Sequence, residues 1–294
     1  MPSAESQQIK AMIVAASAVE AIPIEEQRRQ WEEASSLVEL PPEIQVDAID
    51  VGGIPAEWIT SKDIHTNKVL LYFHGGGYSL GSCITHRYLA SRLVQATQVR
   101  VLTLDYRLAP QHPFPAAVDD ATQSYHWLLN QGIAADTIYI GGDSAGGGLA
   151  MATLVKLRDE GVALPHAAIL ISPWLDLAMT GNSITTCANL DPMVSHDGLH
   201  EMAQLYLGES DPTTPLASPI YADLQGLPSL LIQVGSDEVL LDDSTRLAAK
   251  AKNAGVPVQL EVWDGMWHVW HGWANVGLPE ADEAFEQIGR FVRQ

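Results

Sequence analysis

The chain is poor in cysteine, with Cys83 and Cys187 as its only two among 294 residues. Two cysteines cannot supply the disulfide framework of a small secreted domain, and these two lack the spacing of metal-ligand motifs. We therefore expect two reduced thiols in a cytoplasmic protein.

Basic residues are also scarce: 16 lysines and arginines stand against 36 aspartates and glutamates, which leaves a formal net charge of −20. A surface of this sign repels phosphate backbones and anionic membrane surfaces. Nucleic acid is therefore not expected as a partner.

Long apolar runs are missing as well. No segment approaches the ~18 residues that a membrane-spanning helix needs, so we expect no membrane span. The stretch KAMIVAASAVEAI resembles a short signal peptide, but Glu5 and the glutamines at 7 and 8 make a poor positive region before it. Its apolar residues follow the spacing of one helix face instead, which predicts a helix lying on the domain. They are Ile9, Met12, Ile13, Ala16 and Val19.

Apolar strand-like segments recur along the chain and alternate with helix-like ones. The segment VDAIDVGGIPAEWITS predicts an antiparallel hairpin around Gly52 and Gly53. The later predicted strands are KVLLYF, VRVLTLDY, TIYIGG, AAILIS, SLLIQVG and VQLEVW. This alternation is typical of an α/β fold with a mainly parallel sheet, here with a mixed edge.

One passage, roughly residues 173–228, breaks this rhythm between two predicted strands and is rich in Pro, Asp, Thr and Leu. We expect it to cross the carboxyl end of the sheet. Together with helices in residues 1–45 it would form a cap over a catalytic domain of residues 46–294, since no Gly/Ser linker divides the chain.

The sequence GGDSAGG directly follows the strand TIYIGG and precedes a helix-like segment, which places Ser144 on the turn between them. Gly142, Ser144 and Gly146 form G-x-S-x-G, the nucleophile elbow of α/β-hydrolases. A chymotrypsin-type protease also has its serine in GDSGG, but the following helix and the parallel-strand pattern argue against that fold. A glycine-rich turn that only packs tightly is the remaining alternative for this motif alone.

A second motif, HGGG, follows the strand KVLLYF. Acyl transfer needs N–H donors aimed at the oxygen that becomes negative, and glycines let a backbone present them without side chains in the way. We predict an oxyanion hole formed by N–H groups of Gly75, Gly76 or Gly77 and by that of Ala145. His74 is expected to shape the loop.

A third stretch, DYRLAPQHPFPAAVDD, completes a set of three motifs in the order HGGG, YRLAP and GDSAGG. In this order the chain resembles the hormone-sensitive lipase family of carboxylesterases, the bacterial group IV, from about Val46 onward. The resemblance implies an α/β-hydrolase sheet of about eight strands, an N-terminal helical cap, no cofactor, and hydrolysis of short- to medium-chain esters. Gln111 stands where that family usually has glutamate. Asp105, Arg107 and Asp119 are interpreted as structural pairs.

A triad in the order Ser, acid, His requires a carboxylate after a later strand. Asp237 is the first carboxylate beyond SLLIQVG and resembles the aspartate of the family's D-x-L pattern, so we predict it as the acid. Glu238, Asp242 and Asp243 are its competitors. Glu238 is expected to face the cap or solvent, and the other two to cap the next helix.

His268 lies in GMWH after the last predicted strand and is the predicted base, whereas His271 is one helical turn on. Ser144, Asp237 and His268 then hydrolyse an ester without a metal or organic cofactor. The remaining histidines are expected to be surface or packing residues: His65, His86, His112, His126, His166, His196 and His200.

Tryptophans surround the predicted base, at positions 263, 267, 270 and 273. At least two are expected to pack in the core, while Trp267 and Trp270 are candidates for the wall of the substrate site. A lactone hydrolase and a ligand-binding protein without turnover remain as alternative functions. The resemblance also implies a homodimer through the last edge strand.

Overall fold

The computed structural model describes residues 2–16 and 22–294 of the chain. Its sheet contains eight strands: β1 (Ile44–Asp50), β2 (Pro55–Ser61), β3 (Val69–Phe73), β4 (Arg100–Leu104), β5 (Ile138–Asp143), β6 (Ala167–Ile171), β7 (Ser229–Gly235) and β8 (Val258–Trp263). The α-helices are α1 (Ala4–Ala16), α2 (Ile24–Ser36), α3 (Cys83–Thr97), α4 (Ala116–Asn130), α5 (Ala145–Asp159), α6 (Ser183–Thr186), α7 (His196–Leu207), α8 (Leu241–Asn253) and α9 (Pro279–Arg293). Short 3₁₀ turns span Ala135–Thr137, Pro219–Tyr221 and Trp270–Val276.

The strands lie in the order β1-β2-β4-β3-β5-β6-β7-β8. The β1–β2 hairpin and the β2–β4 pair are antiparallel, and all later pairs are parallel. The mainly parallel sheet with an antiparallel edge is therefore confirmed. Because the carboxyl ends of β3, β5, β6, β7 and β8 meet at one edge, the loops that follow them gather in one place.

Helices cover both faces of the sheet, as the continuous apolar runs of the central strands require. One core cluster packs α4, α5 and α8 on the sheet through residues such as Leu128, Leu149 and Leu247. The second packs α1, α3 and α9 on the opposite face, with Leu93 and Phe285 among its members. All five residues of β3 are buried, as are all six of β5, so the middle of the sheet is a fixed platform for the loops above it.

The predicted N-terminal helix is present over Ala4–Ala16. Ile9 and Ile13 are buried in the second cluster, but Met12 is 66% exposed, so its assignment to the packed face is wrong. Val19 lies outside the described residues. Within the described part of the chain, no helix is long and apolar enough to cross a membrane.

Candidate active site

Ser144 lies on the turn between β5 and α5, and its backbone has φ 53° and ψ −123°. A non-glycine residue rarely adopts a positive φ, and such strain concentrates at functional sites. The neighbouring glycines explain how the turn closes. A Cβ added at Gly142 would collide with the Gly146 carbonyl, and one added at Gly146 would collide with the carbonyl oxygen of Phe73. The small residues beside Ser144 are thus required by main-chain crowding.

The oxyanion loop follows β3, and Gly76 and Gly77 line the cavity that also contains Ser144. Both glycines have positive φ, 112° and 60°. Within residues 2–16 and 22–294, the N–H groups of Gly76 and Gly77 have no backbone or side-chain acceptor. Ala145 is the first residue of α5, and its N–H has no acceptor within the helix.

Gly75 differs from these donors, contrary to the prediction that its N–H is available to an oxyanion. That N–H donates to Asp143 Oδ1 at 3.2 Å and to His86 Nε2 at 3.3 Å. Asp143 directly precedes Ser144, and its side chain lies under the oxyanion loop, where it accepts the hydrogen bond from the Gly75 amide.

His74 shapes this loop, as expected. Its Nδ1 lies 2.7 Å from the Gly75 carbonyl oxygen, and its own carbonyl accepts a 2.7 Å hydrogen bond from Tyr106 Oη. The imidazole stacks on Tyr106 with ring centroids 4.2 Å apart. Burial lowers the pKa of His74 to about 3, so this ring is neutral at ordinary pH.

Glu238 is the carboxylate that contacts His268. Its Oε2 lies 3.0 Å from His268 Nδ1, and its side chain is completely buried. The other oxygen, Oε1, accepts from Ser172 Oγ and from the Gly235 N–H, both at 2.6 Å. Ser172 Oγ in turn accepts from the Val269 N–H at 3.2 Å. The carboxylate is therefore held from three sides in one orientation.

Asp237 points elsewhere, and the prediction that it reaches His268 is wrong. Its Oδ2 accepts from Lys10 Nζ of α1 at 2.5 Å, and its Oδ1 accepts from Ser236 Oγ at 3.0 Å. The Asp237 N–H donates to the Met266 carbonyl at 3.1 Å, which fixes the backbone of this turn. Glu238, the next residue along the turn, directs its side chain toward His268 rather than toward Lys10, and this side chain is long enough to reach the imidazole.

The pKa of His268 is raised despite its burial. Burial is the largest influence and lowers the pKa, but the hydrogen bond and charge of Glu238, aided by Asp191 and Asp143, outweigh it. His271, the alternative base, is fully buried with Nε2 2.7 Å from Gln233 Oε1, and burial lowers its pKa to about 3. The Nδ1–H of His268 donates to the carboxylate, so its Nε2 is left for a partner in the cavity.

Ser144 and His268 line the same cavity, which has a volume of about 490 Å³. Its walls come from the oxyanion loop, from α3, from α2 and from the segment between β6 and β7. The α2 helix contributes Trp31 and Ser35, and Val38 follows it. The segment between β6 and β7 contributes Met193, Val194, Ser195, Gly198, Leu199 and Met202. The two regions expected to form a cap thus both face the serine.

Trp267 and Trp270 do not fit their predicted place in the substrate wall. Both are fully buried in the core cluster beneath α9, and Trp263 is packed against the same cluster. Trp273 lines the cavity instead, together with Trp174 of the loop after β6. Which tryptophan packs in the core and which lines the cavity depends on the path of the chain around His268, which residue type does not encode.

Sequence reasoning missed the position of His86, which was expected to be a packing or surface residue. It is 5% exposed, lines the cavity, and lies 3.4 Å from Asp143 Oδ2 through its Nε2. His86 lies outside the three motifs, so the sequence carried no local signal for it. The pairing of β3 with β5 is what brings Asp143 under the loop that precedes α3.

The loop containing YRLAP is fixed by ion pairs and amide contacts. Arg107 pairs at 2.7 Å with Asp120, the residue after the predicted Asp119. Asp105 accepts from the Cys83 N–H at the start of α3 at 2.6 Å. Gln111 accepts from Arg28 of α2 at 3.1 Å and so joins this loop to the second helix.

Asp242 and Asp243 lie in the first turn of α8, but their carboxylates accept from other segments rather than capping that helix. Asp242 accepts from the Asn182 and Ser183 N–H groups, and Asp243 from those of Leu175 and Asp176. The expectation that both cap their own helix is wrong. They instead anchor the segment between β6 and β7 to the sheet.

Known proteins match both the sequence and the architecture. A family model described as alpha/beta hydrolase fold matches residues 70–272. An acetyl-hydrolase of Streptomyces hygroscopicus is 49% identical, over 84% of this chain and 82% of its own length. An esterase of Acinetobacter venetianus is 39% identical, over 85% and 82%. A solved esterase of the bacterial hormone-sensitive lipase family is 47% identical, with a TM-score of 0.96 over 100% of this chain and 98% of that one.

The fold and these similarities show that the protein is an α/β-hydrolase and a carboxylic ester hydrolase. The chain belongs, more narrowly, to the bacterial hormone-sensitive lipase family of esterases. The fold class and the family expected from the sequence are both confirmed.

Proposed function

We propose that the protein hydrolyses short- to medium-chain carboxylic esters through a triad of Ser144, His268 and Glu238. The observation that carries this proposal is the hydrogen bond between Glu238 and His268, on an imidazole that shares a cavity with a strained serine. Asp237, the acid favoured by the sequence, has no place in this triad because its carboxylate is paired with Lys10.

The chemistry follows from the position of each group. His268 Nε2 takes the proton of Ser144 Oγ as the oxygen attacks the ester carbonyl. The N–H groups of Gly76, Gly77 and Ala145 stabilise the developing oxyanion. His268 then gives its proton to the departing alcohol, and water releases the acid by the same steps in reverse order.

Glu238 orients the imidazole and stabilises its charged form. Its burial among Ser172, Gly235 and His268 leaves it a single geometry, which is the preorganisation that acid–base catalysis requires. No step in this scheme draws on a metal ion or an organic cofactor.

The cavity supports a preference for small acyl groups. Residues 1–45 and 173–228 form the cap in this proposal, and its members Trp31 and Met202 close the space above Ser144. Met202 also lies against Gly77, where an added Cβ would strike its sulfur. Acyl chains beyond roughly C8 should therefore lose rate through misfit. The similarity to an acetyl-hydrolase agrees with this preference.

Hydrolysis of p-nitrophenyl acetate by the wild type and by Ser144→Ala tests the proposal. We expect turnover by the wild type and a loss of about 10⁶-fold in kcat for Ser144→Ala. A folded wild type that binds esters without turnover would identify a ligand-binding protein instead. A kcat/KM series that rises from C2 to C16 would overturn the acyl-chain preference.

A further inference from the structure

Asp143 and His86 lie directly beneath the oxyanion loop and take no part in the triad. The side chain of Asp143 is 3% exposed and that of His86 is 6% exposed. Burying a carboxylate next to an imidazole costs free energy unless both make compensating contacts, so such a pair calls for an explanation.

The contacts of Asp143 reach three parts of the site. Its Oδ1 accepts from Tyr72 Oη at 2.7 Å and from the Gly75 N–H at 3.2 Å, while its Oδ2 faces His86 Nε2 at 3.4 Å. Because Asp143 precedes Ser144, one side chain links the nucleophile turn to the oxyanion loop. Burial raises the pKa of Asp143, but His86 and Tyr72 outweigh it, and the net pKa is lowered.

The contacts of His86 define which of its nitrogens faces the loop. Thr85 Oγ1 donates its proton to the Ser82 carbonyl at 2.9 Å, so His86 Nδ1–H donates to Thr85 Oγ1 at 2.8 Å. Nε2 then accepts from the Gly75 N–H at 3.3 Å and lies 3.4 Å from Asp143 Oδ2. The ring therefore supports the junction of Gly75 with Asp143.

The Gly75 amide is therefore withdrawn from the cavity by two acceptors. The next two amides, of Gly76 and Gly77, lie in a loop whose positive φ angles return the chain toward Ser144. A loop of consecutive glycines has little stiffness of its own, since each lacks the steric limits of a Cβ. Contacts from other segments must add to its rigidity, and the Gly75 amide, held by Asp143 and His86, is one such point.

We propose that Asp143 and His86 form a positioning pair that fixes the oxyanion loop through the Gly75 amide and so aims the Gly76 and Gly77 amides at the reacting carbonyl. This inference rests on the proposed function and adds two positioning residues to it. Neither side chain needs to touch the substrate. A displacement of about 1 Å in such donors costs on the order of 10²-fold in rate.

The test compares His86→Ala, His86→Asn and His86→Gln in p-nitrophenyl acetate hydrolysis and in binding of a trifluoromethyl ketone, whose adduct with Ser144 carries an oxyanion. We expect His86→Ala and His86→Asn to lower kcat about 100-fold with KM changed less than about threefold. Binding of the ketone should weaken by the same factor as kcat falls. His86→Gln, whose amide reaches the position of Nε2, should restore kcat to within about threefold of wild type.

Tyr125→Phe is the matched control, because it removes a partly buried hydrogen bond from Tyr125 Oη to the Ala163 carbonyl, and neither residue lines the cavity. It should lower the melting temperature while leaving kcat and ketone binding unchanged. A merely structural role for His86 predicts the same behaviour in His86→Asn, namely lower stability with normal kcat, and that outcome overturns the proposal. If His86→Ala does not fold, His86→Asn, which keeps a polar side chain, still decides it.

The failure of this inference can be told apart from failure of the proposed function. An inactive wild type, or an active Ser144→Ala, would remove the triad itself. An active wild type with an inactive Ser144→Ala, together with normal kcat and ketone binding in His86→Asn, would remove only the positioning pair.

Discussion

The loop after β5 and the loop after β7 each supply one group to the site, yet they differ in what determines their geometry. After β5, carbonyl oxygens crowd Gly142 and Gly146 so closely that only glycine fits. After β7, Asp237 and Glu238 stand side by side, and each is accommodated by its own partner. Main-chain crowding restricts residue type and is therefore visible in sequence, whereas side-chain direction at a turn depends on distant partners.

The largest expected effect comes from the loop after β7. Glu238→Gln should lower kcat about 10⁴-fold, because an amide cannot stabilise the imidazolium and holds His268 in the wrong tautomer. Steady-state hydrolysis of p-nitrophenyl acetate measures it, with circular dichroism to verify folding. Near-normal activity in a folded Glu238→Gln would show that the contact at 3.0 Å plays no part in catalysis.

A smaller but still large effect is expected from the loop after β5. Gly146→Ala places a Cβ against the Phe73 and His74 carbonyls, so the nucleophile turn must shift and kcat should fall about 100-fold. Gly161→Ala is its control, since a Cβ there meets open space although φ is 70°. Equal kcat in the two variants would contradict the role given to crowding at the elbow.

The tryptophans extend the comparison from catalysis to packing. Trp267 is fully buried in the core, so Trp267→Ala should lower the free energy of unfolding by about 3–5 kcal/mol. Trp273 lines the cavity, and Trp273→Ala should chiefly raise kcat/KM for longer acyl chains. Urea denaturation and a C2-to-C12 ester series separate the two effects. A reversal of the two outcomes would restore Trp267 to the substrate wall.

The pH dependence should reflect His268. Only the neutral imidazole accepts the serine proton, and the pKa of His268 is raised, so kcat/KM should fall as pH drops through a value above 6.5. In Glu238→Gln the pKa of His268 should fall, because the carboxylate that favours the imidazolium is gone. The residual activity should therefore be lost at a lower pH than the activity of the wild type. An acid limb that is the same in both enzymes would argue against the pairing.

Asp237→Asn should have the smallest effect, which makes it the matched control for Glu238→Gln. It removes a partly exposed ion pair with Lys10, and such pairs contribute about 0–1 kcal/mol. We expect kcat within about threefold of wild type and a slightly lower melting temperature. Loss of activity in Asp237→Asn alongside a normal Glu238→Gln would return the acid's role to Asp237.

Predictions from the local sequence were correct where a residue pattern reflects what the main chain requires. The strands, the position of Ser144 between β5 and α5, and the loop-shaping role of His74 all followed from local sequence. The predictions failed for Gly75, whose amide is used by Asp143, and for Trp267 and Trp270, which pack inward. Each of these depends on residues far along the chain. The expected homodimer and the cytoplasmic location stay predictions, to be checked by light scattering and fractionation.

The sequence by itself determined the class of the sheet, the segments that form its strands and the turn that carries Ser144, because periodicity and main-chain crowding act over a few residues. Tertiary structure alone decided that Glu238 and not Asp237 meets His268, since Ser172 and Lys10 approach that turn from β6 and from α1. It also decided that His86 contacts the Gly75 amide. Both choices are made by contacts across the sheet edge, where adjacent strands bring together residues that are remote in sequence.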